Sequence, residues 1–127
     1  MKYDYKKETT LPFAEAVLKT KDELAKEGFG VLTEIDVKAT LKKKLNVDYG
    51  NYIILGVCNP SLAYQALQAE KDIGLFMPCN VIVYEEGNKS FVSVMMPTVA
   101  LRAVSNSAIN EIAQQAEEKL KRVIENI

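Results

Sequence analysis

Histidine does not occur anywhere in this 127-residue sequence. Its absence removes the commonest general base near neutral pH and the commonest metal ligand, and counts against many hydrolase and metalloenzyme chemistries. Cysteine is nearly absent too, with two residues, Cys58 and Cys79. That is too few for a disulfide framework, and a chain of this length buries a core without staples. An excess of charge of one sign is also lacking. Sixteen basic residues against seventeen acidic ones leave a net charge of −1, so no strong field draws the chain to nucleic acid or an anionic membrane, and neither is expected as a partner. No apolar run approaches the roughly 20 residues needed to span a bilayer. The opening Met1-Lys2-Tyr3-Asp4-Tyr5 has no apolar core of the signal-peptide kind. Two unpaired thiols and no export signal point to the reducing cytoplasm.

Familiar catalytic signatures are missing as well. There is no Gly-x-Ser-x-Gly, no P-loop and no metal-type cysteine repeat, and Gly28 and Gly30 bracket a strand start without forming a phosphate-binding loop. No Pro/Gly-rich linker, internal repeat or low-complexity segment divides the chain, so residues 1–127 read as one domain. What is present is ordinary for a folded protein: 48% hydrophobic and 26% charged residues, which is far from the composition of disorder.

Alternation at residues 2–8 predicts a first strand. Leu11-Pro12-Phe13 opens a helix with Thr10 as its expected cap, and Phe13, Ala16, Val17, Thr20 and Leu24 form its buried stripe. Gly28 stops it. Residues 29–35 predict a second strand, after which Asp36 caps a short helix with Val37, Leu41 and Leu45 on one side and Lys38, Lys42, Lys43 and Lys44 in water. The near-continuous apolar run at 51–58 predicts a central strand covered on both faces. Asn59-Pro60, cap then proline, starts a third helix over 61–70. An irregular apolar connection, 72–78, follows. Strands at 80–86 and 89–96 meet at Gly87-Asn88, a hairpin signal, and Pro97 ends the second. A long helix over 105–124 buries Ile109, Ile112, Ala116, Leu120 and Val123. The pattern predicts an α+β fold, a two-layer α/β sandwich: one five-stranded sheet, mixed or mainly antiparallel, with helices packed mainly on one face.

If the third strand runs antiparallel to the fourth, Cys58-Asn59-Pro60, Pro78-Cys79-Asn80 and Met96-Pro97-Thr98 meet at one rim. Glu34 and Asp36 join them if the second strand runs parallel to the third. Several chemistries are conceivable there. Cys58, just before a helix start, is the candidate nucleophile or redox thiol, because unpaired N–H groups and the positive end of the dipole favour thiolate. The plain alternative is a small buried hydrophobe. Cys79 is its candidate partner in a dithiol, or in a soft-metal site completed by Met77, Met95 and Met96, which suit an ion such as Cu(I). Glu34 and Asp36 offer paired carboxylates, although Asp36 already has work as a cap. Asn59 and Asn80 offer amide hydrogen bonds to a ligand. Which cofactor the chain uses is not readable from these residues.

These same residues carry a resemblance. The stretches Gly28-Phe29-Gly30-Val31-Leu32-Thr33-Glu34-Ile35-Asp36-Val37 and Tyr52-Ile53-Ile54-Leu55-Gly56-Val57-Cys58-Asn59-Pro60 resemble the domain of unknown function 302 family of small bacterial and archaeal proteins. So does the stretch from Ala63 to Leu67 with Ala69-Glu70, followed by Ile73-Gly74-Leu75 and Pro78-Cys79-Asn80-Val81. The resemblance spans nearly the whole chain. It implies a compact two-layer domain forming a homodimer, with characteristic residues at Glu34, Asp36, Cys58, Asn59, Pro60, Pro78, Cys79 and Asn80, and it implies no established activity. The reading is therefore a small homodimeric module that binds a small molecule or another protein, with a thiol-dependent enzyme or redox protein, and a soft-metal binder, as alternatives.

Overall fold

The computed structural model describes residues 2–127. Its elements follow the predicted order: β1 (Asp4–Thr9), α1 (Phe13–Lys26), β2 (Gly30–Asp36), α2 (Val37–Leu45), β3 (Tyr52–Cys58), α3 (Pro60–Ala69), a 3₁₀ turn (Lys71–Phe76), β4 (Cys79–Glu86), β5 (Lys89–Met95), a short α4 (Pro97–Ala100) and α5 (Ser107–Glu125). The five strands form one sheet in the order β1-β5-β4-β3-β2, and every neighbouring pair is antiparallel. The α+β sandwich expected from the sequence is the architecture found.

The main core lies between the sheet and the helices α1 and α5. Leu55, Val57, Val81, Val83, Val92 and Val94 point from the strands onto Ala16, Val17 and Leu24 of α1 and onto Leu120, Val123 and Ile124 of α5. Burying a valine or leucine side chain stabilises by about 1.5–3 kcal/mol, so this alternation fixes which face of each strand looks inward. A second cluster, Ala66, Ile73 and Ile109, sits under α3 and the 3₁₀ turn. Helix α5 is long enough to serve both.

Several local expectations are corrected. Thr10 does not cap α1; the residue before Phe13 is Pro12, with no side-chain cap, and Thr9 Oγ1 instead accepts from the Leu11 amide. Strand β3 is covered on one face only, because the helices that supply the core all lie on the other, and Tyr52 and Ile54 are half-buried. The apolar run there reflects an uncovered sheet face that is itself apolar. Helix α2 buries none of its residues fully: of its predicted stripe, Val37 and Leu41 are half-buried and Leu45 is exposed. In α5 the buried position is Ala113, with Ile112 only half-buried. The connection at 72–78 carries the 3₁₀ turn and ends in a cis peptide at Met77-Pro78.

Candidate functional site: an apolar cavity at the cysteine rim

Between the two core clusters lies a cavity of about 230 Å³. Its origin is visible in the residue types. Ala63 and Ala66 of α3 and Ala113 and Ala116 of α5 line it, and four alanines along facing helices leave volume that larger side chains would fill. Ile73, Ile109 and Leu62 close the inner wall, and Leu32 and Phe76, both solvent-exposed, stand at the outer one. No charged residue contributes, and Asn59 is the one lining side chain with nitrogen or oxygen.

Both cysteines line this cavity, and both are free and half-buried. Their convergence follows from the ladder. Cys79 stands directly across from Val57, so it shares the inward face of the sheet and packs against the main core. Cys58 is the next residue of β3 and leads through Asn59 into α3. Burial pushes the Cys79 thiol above its ordinary pKa of 9.0, and the nearby Cys58 adds to the effect, because desolvation penalises thiolate. Asn59 performs the predicted capping: its Oδ1 accepts from the Leu62 amide at 3.3 Å, while its Nδ2 donates to the Glu27 carbonyl oxygen at 3.3 Å.

Asn80 does not reach the cavity. Adjacent strand residues point to opposite faces, so Asn80 lies on the uncovered face and lines a separate groove of about 560 Å³ with Tyr52, Tyr84 and Lys6. Glu34 and Asp36 lie elsewhere. Because β2 runs antiparallel to β3, Gly30 is the residue across from Cys58, and Asp36 pairs with Ile53 at the opposite rim. Both carboxylates already have partners: Glu34 with Lys21 at 3.0 Å, and Asp36 with the Ala39 amide at 2.9 Å as the α2 cap. Of the methionines, Met77 lines the cavity, Met95 lines the groove on the other face, and Met96 precedes α4. Among the described residues, no cluster of three or more His, Cys, Asp or Glu side chains is arranged to hold a metal ion.

Sequence reasoning missed two features. The cavity depends on alanines from α3 and α5, which are brought together only by tertiary packing. The uncovered face carries a cross-strand aromatic ladder: Tyr52 stacks on Tyr84 with ring centroids 5.5 Å apart, and Tyr84 on Phe91 at 5.1 Å. The register pairs Tyr52 with Tyr84 and Tyr84 with Phe91. The aromatic residues at matching strand positions were the signal available for it.

A single antiparallel sheet backed by helices, with a cysteine-lined cavity at one rim, describes a class of small α+β domain. The chain belongs to the family described as Domain of unknown function DUF302, which it matches over residues 5–127. It is similar in structure to an uncharacterized conserved protein of that family from Bacillus stearothermophilus, known from a crystal structure. The identity is 29%, the match covers 98% of this chain and 97% of that one, and the TM-score is 0.91. Among curated proteins nothing matches. No helix among the described residues is long and apolar enough to cross a membrane.

Proposed function

We propose that this protein is a binding module for a small apolar molecule held in the cavity behind Cys58 and Cys79. The observation that carries the reading is the size and lining of that cavity, about 230 Å³ with no charged wall. An engineered apolar cavity of 150 Å³ accepts benzene; scaled by volume, this one accommodates about nine carbon-sized atoms. A saturated methyl ketone of that length is a suitable probe. Its binding raises the thermal midpoint by roughly 5–10 °C when the ligand exceeds its Kd a hundredfold. Ala113→Leu, which fills the cavity from α5, abolishes the rise. A midpoint unchanged at saturating ketone would sink the reading.

We further propose that the module is a homodimer, paired through the uncovered sheet face. Ile35, Tyr49, Tyr3 and Met95 are exposed there, and Tyr52, Ile54, Ile82, Tyr84 and Phe91 are half-buried. An aromatic side chain buries about 150–250 Å² when fully covered. These residues together offer several hundred Å² of apolar surface per copy, approaching the roughly 800 Å² per partner of a standard interface. Sedimentation at tens of micromolar tests this. The protein sediments as a dimer and Ile82→Arg as a monomer, whereas a monomeric wild type, or a variant that stays dimeric, overturns the assignment. The two free thiols suit a reducing, cytoplasmic setting.

A further inference from the structure

The cavity contains no acid, no base and no cation, so any covalent chemistry inside it is limited to what a thiol does unaided. We infer that Cys58 forms a thioether with small apolar α,β-unsaturated ketones that occupy the cavity. This rests on the cavity being a ligand site, and it names the chemical class of one ligand that the site retains.

Three features support the assignment. First, two soft sulfur nucleophiles stand on a wall that is otherwise hydrocarbon apart from Asn59, which concentrates apolar, soft electrophiles and excludes charged ones. Second, the two thiols are unequal. Cys79 packs against the main core, and its thiol is held protonated by burial. Cys58 sits half-buried on the cavity wall at the strand end where α3 begins, outside that core cluster. Third, the Asn59 amide nitrogen carries two N–H bonds. One goes to the Glu27 carbonyl, which leaves the second for the carbonyl oxygen of an enone lying along the wall.

The step balances without a co-reactant. The Cys58 sulfur attacks the β-carbon and forms a C–S bond while the carbon–carbon π bond breaks. Its electron pair moves onto the carbonyl as an enolate, facing Asn59. The proton lost from the thiol is returned through solvent to the α-carbon, and no group leaves. The product is a saturated ketone tethered to the protein, one whole ligand heavier.

The test compares the nine-carbon enone, the saturated ketone of equal length and acrylamide, a small polar electrophile, using intact mass and peptide mapping. Enclosure raises the enone-to-acrylamide rate ratio at Cys58 by roughly tenfold or more over the same ratio for N-acetylcysteine. The adduct maps to Cys58, persists in Cys79→Ser, disappears in Cys58→Ser and is slowed by excess saturated ketone. A ratio equal to that of the free thiol, or an adduct confined to Cys79, overturns the inference. The two levels of the argument separate cleanly. If the saturated ketone raises the thermal midpoint but the enone shows no preference for Cys58, the covalent step fails and the binding reading stands. If neither compound is taken up, both fail. Retained ketone binding by Cys58→Ser shows that the variant is folded.

Discussion

Asn59 holds the end of α1 and the start of α3 together: its Nδ2 donates to the Glu27 carbonyl oxygen while its Oδ1 accepts from the Leu62 amide. Gly28 makes room for this, since a Cβ built there would lie 3.1 Å from Asn59 Nδ2, and its φ of +85° is one that favours glycine. Asn59→Ala removes both bonds and costs about 1–2 kcal/mol in urea unfolding. Asn59→Asp keeps the cap and loses only the link to Glu27, so its cost is smaller. An Asn59→Asp variant as stable as the wild type would show that the inter-helix bond contributes nothing.

Cys79 titrates above the ordinary thiol value of 9.0 because burial disfavours its charged form. In Cys58→Ser, where it is the one cysteine left, the pH dependence of its alkylation should have its midpoint above that value. The shift also has a sign for stability. A group whose folded pKa is raised contributes fully below its unfolded pKa, and the contribution fades as pH rises toward the folded one. The Cys79→Ala variant therefore loses less stability than wild type as pH rises through and above 9.0, as followed by denaturant midpoints.

Glu23 behaves in the opposite sense. Its carboxylate lies 2.7 Å from Lys26 Nζ and 3.2 Å from Lys19 Nζ, and the bond to Lys26, followed by that to Lys19, holds its pKa below the ordinary 4.5. Stability from this group is complete above its unfolded pKa and is lost as pH falls through the depressed folded value. Glu23→Gln should therefore flatten the acid limb of the stability curve below about pH 4.5 and leave the shape near neutrality unchanged. An unaltered acid limb would contradict it.

Gly56 sits where β2 and β4 close on β3. A Cβ there would collide with Thr33 Oγ1 and come within 2.9 Å of Pro78 Cγ. Gly56→Ala should destabilise by about 1–3 kcal/mol through overpacking. Adding Thr33→Ala should recover part of that loss, because the two residues pair directly across the ladder and neighbouring sites are not additive. Full additivity would mean that the strain falls elsewhere.

How far these features can be read from the sequence varies with how local their causes are. Asn59-Pro60 and Asp36 are legible as caps because the cap and the helix it serves are adjacent in sequence. Gly87 carries the positive φ that its hairpin needs. The pairing of β3 with β4 is legible only as a condition; it is antiparallel, and Cys58 and Cys79 line one cavity. The direction of β2 was not settled, because a helix can connect strands of either sense, and that choice moves Glu34 and Asp36 to the far rim. Nor was Asn80 separated from Cys79, although strand alternation requires it. The cavity walls were illegible for a different reason. Ala66 and Ala113 stand in separate helices, and nothing in either sequence neighbourhood signals that the other will face it.

The place of β1 has a consequence for how the molecule is assembled. Among the described residues β1 is the first strand, yet its only sheet neighbour is β5, with Asp4 across from Met95 and Thr9 across from Ser90. Strands β2 to β5 pair each with the next in order, so that four-stranded meander closes over comparatively short loops. β1 must wait for a partner made more than half a chain later, and joining it means closing a long loop. During synthesis β1 thus keeps its backbone groups unpaired by the sheet until β5 emerges. The edge it finally completes is the slowest part of the sheet to form, as expected for contacts of high sequence separation.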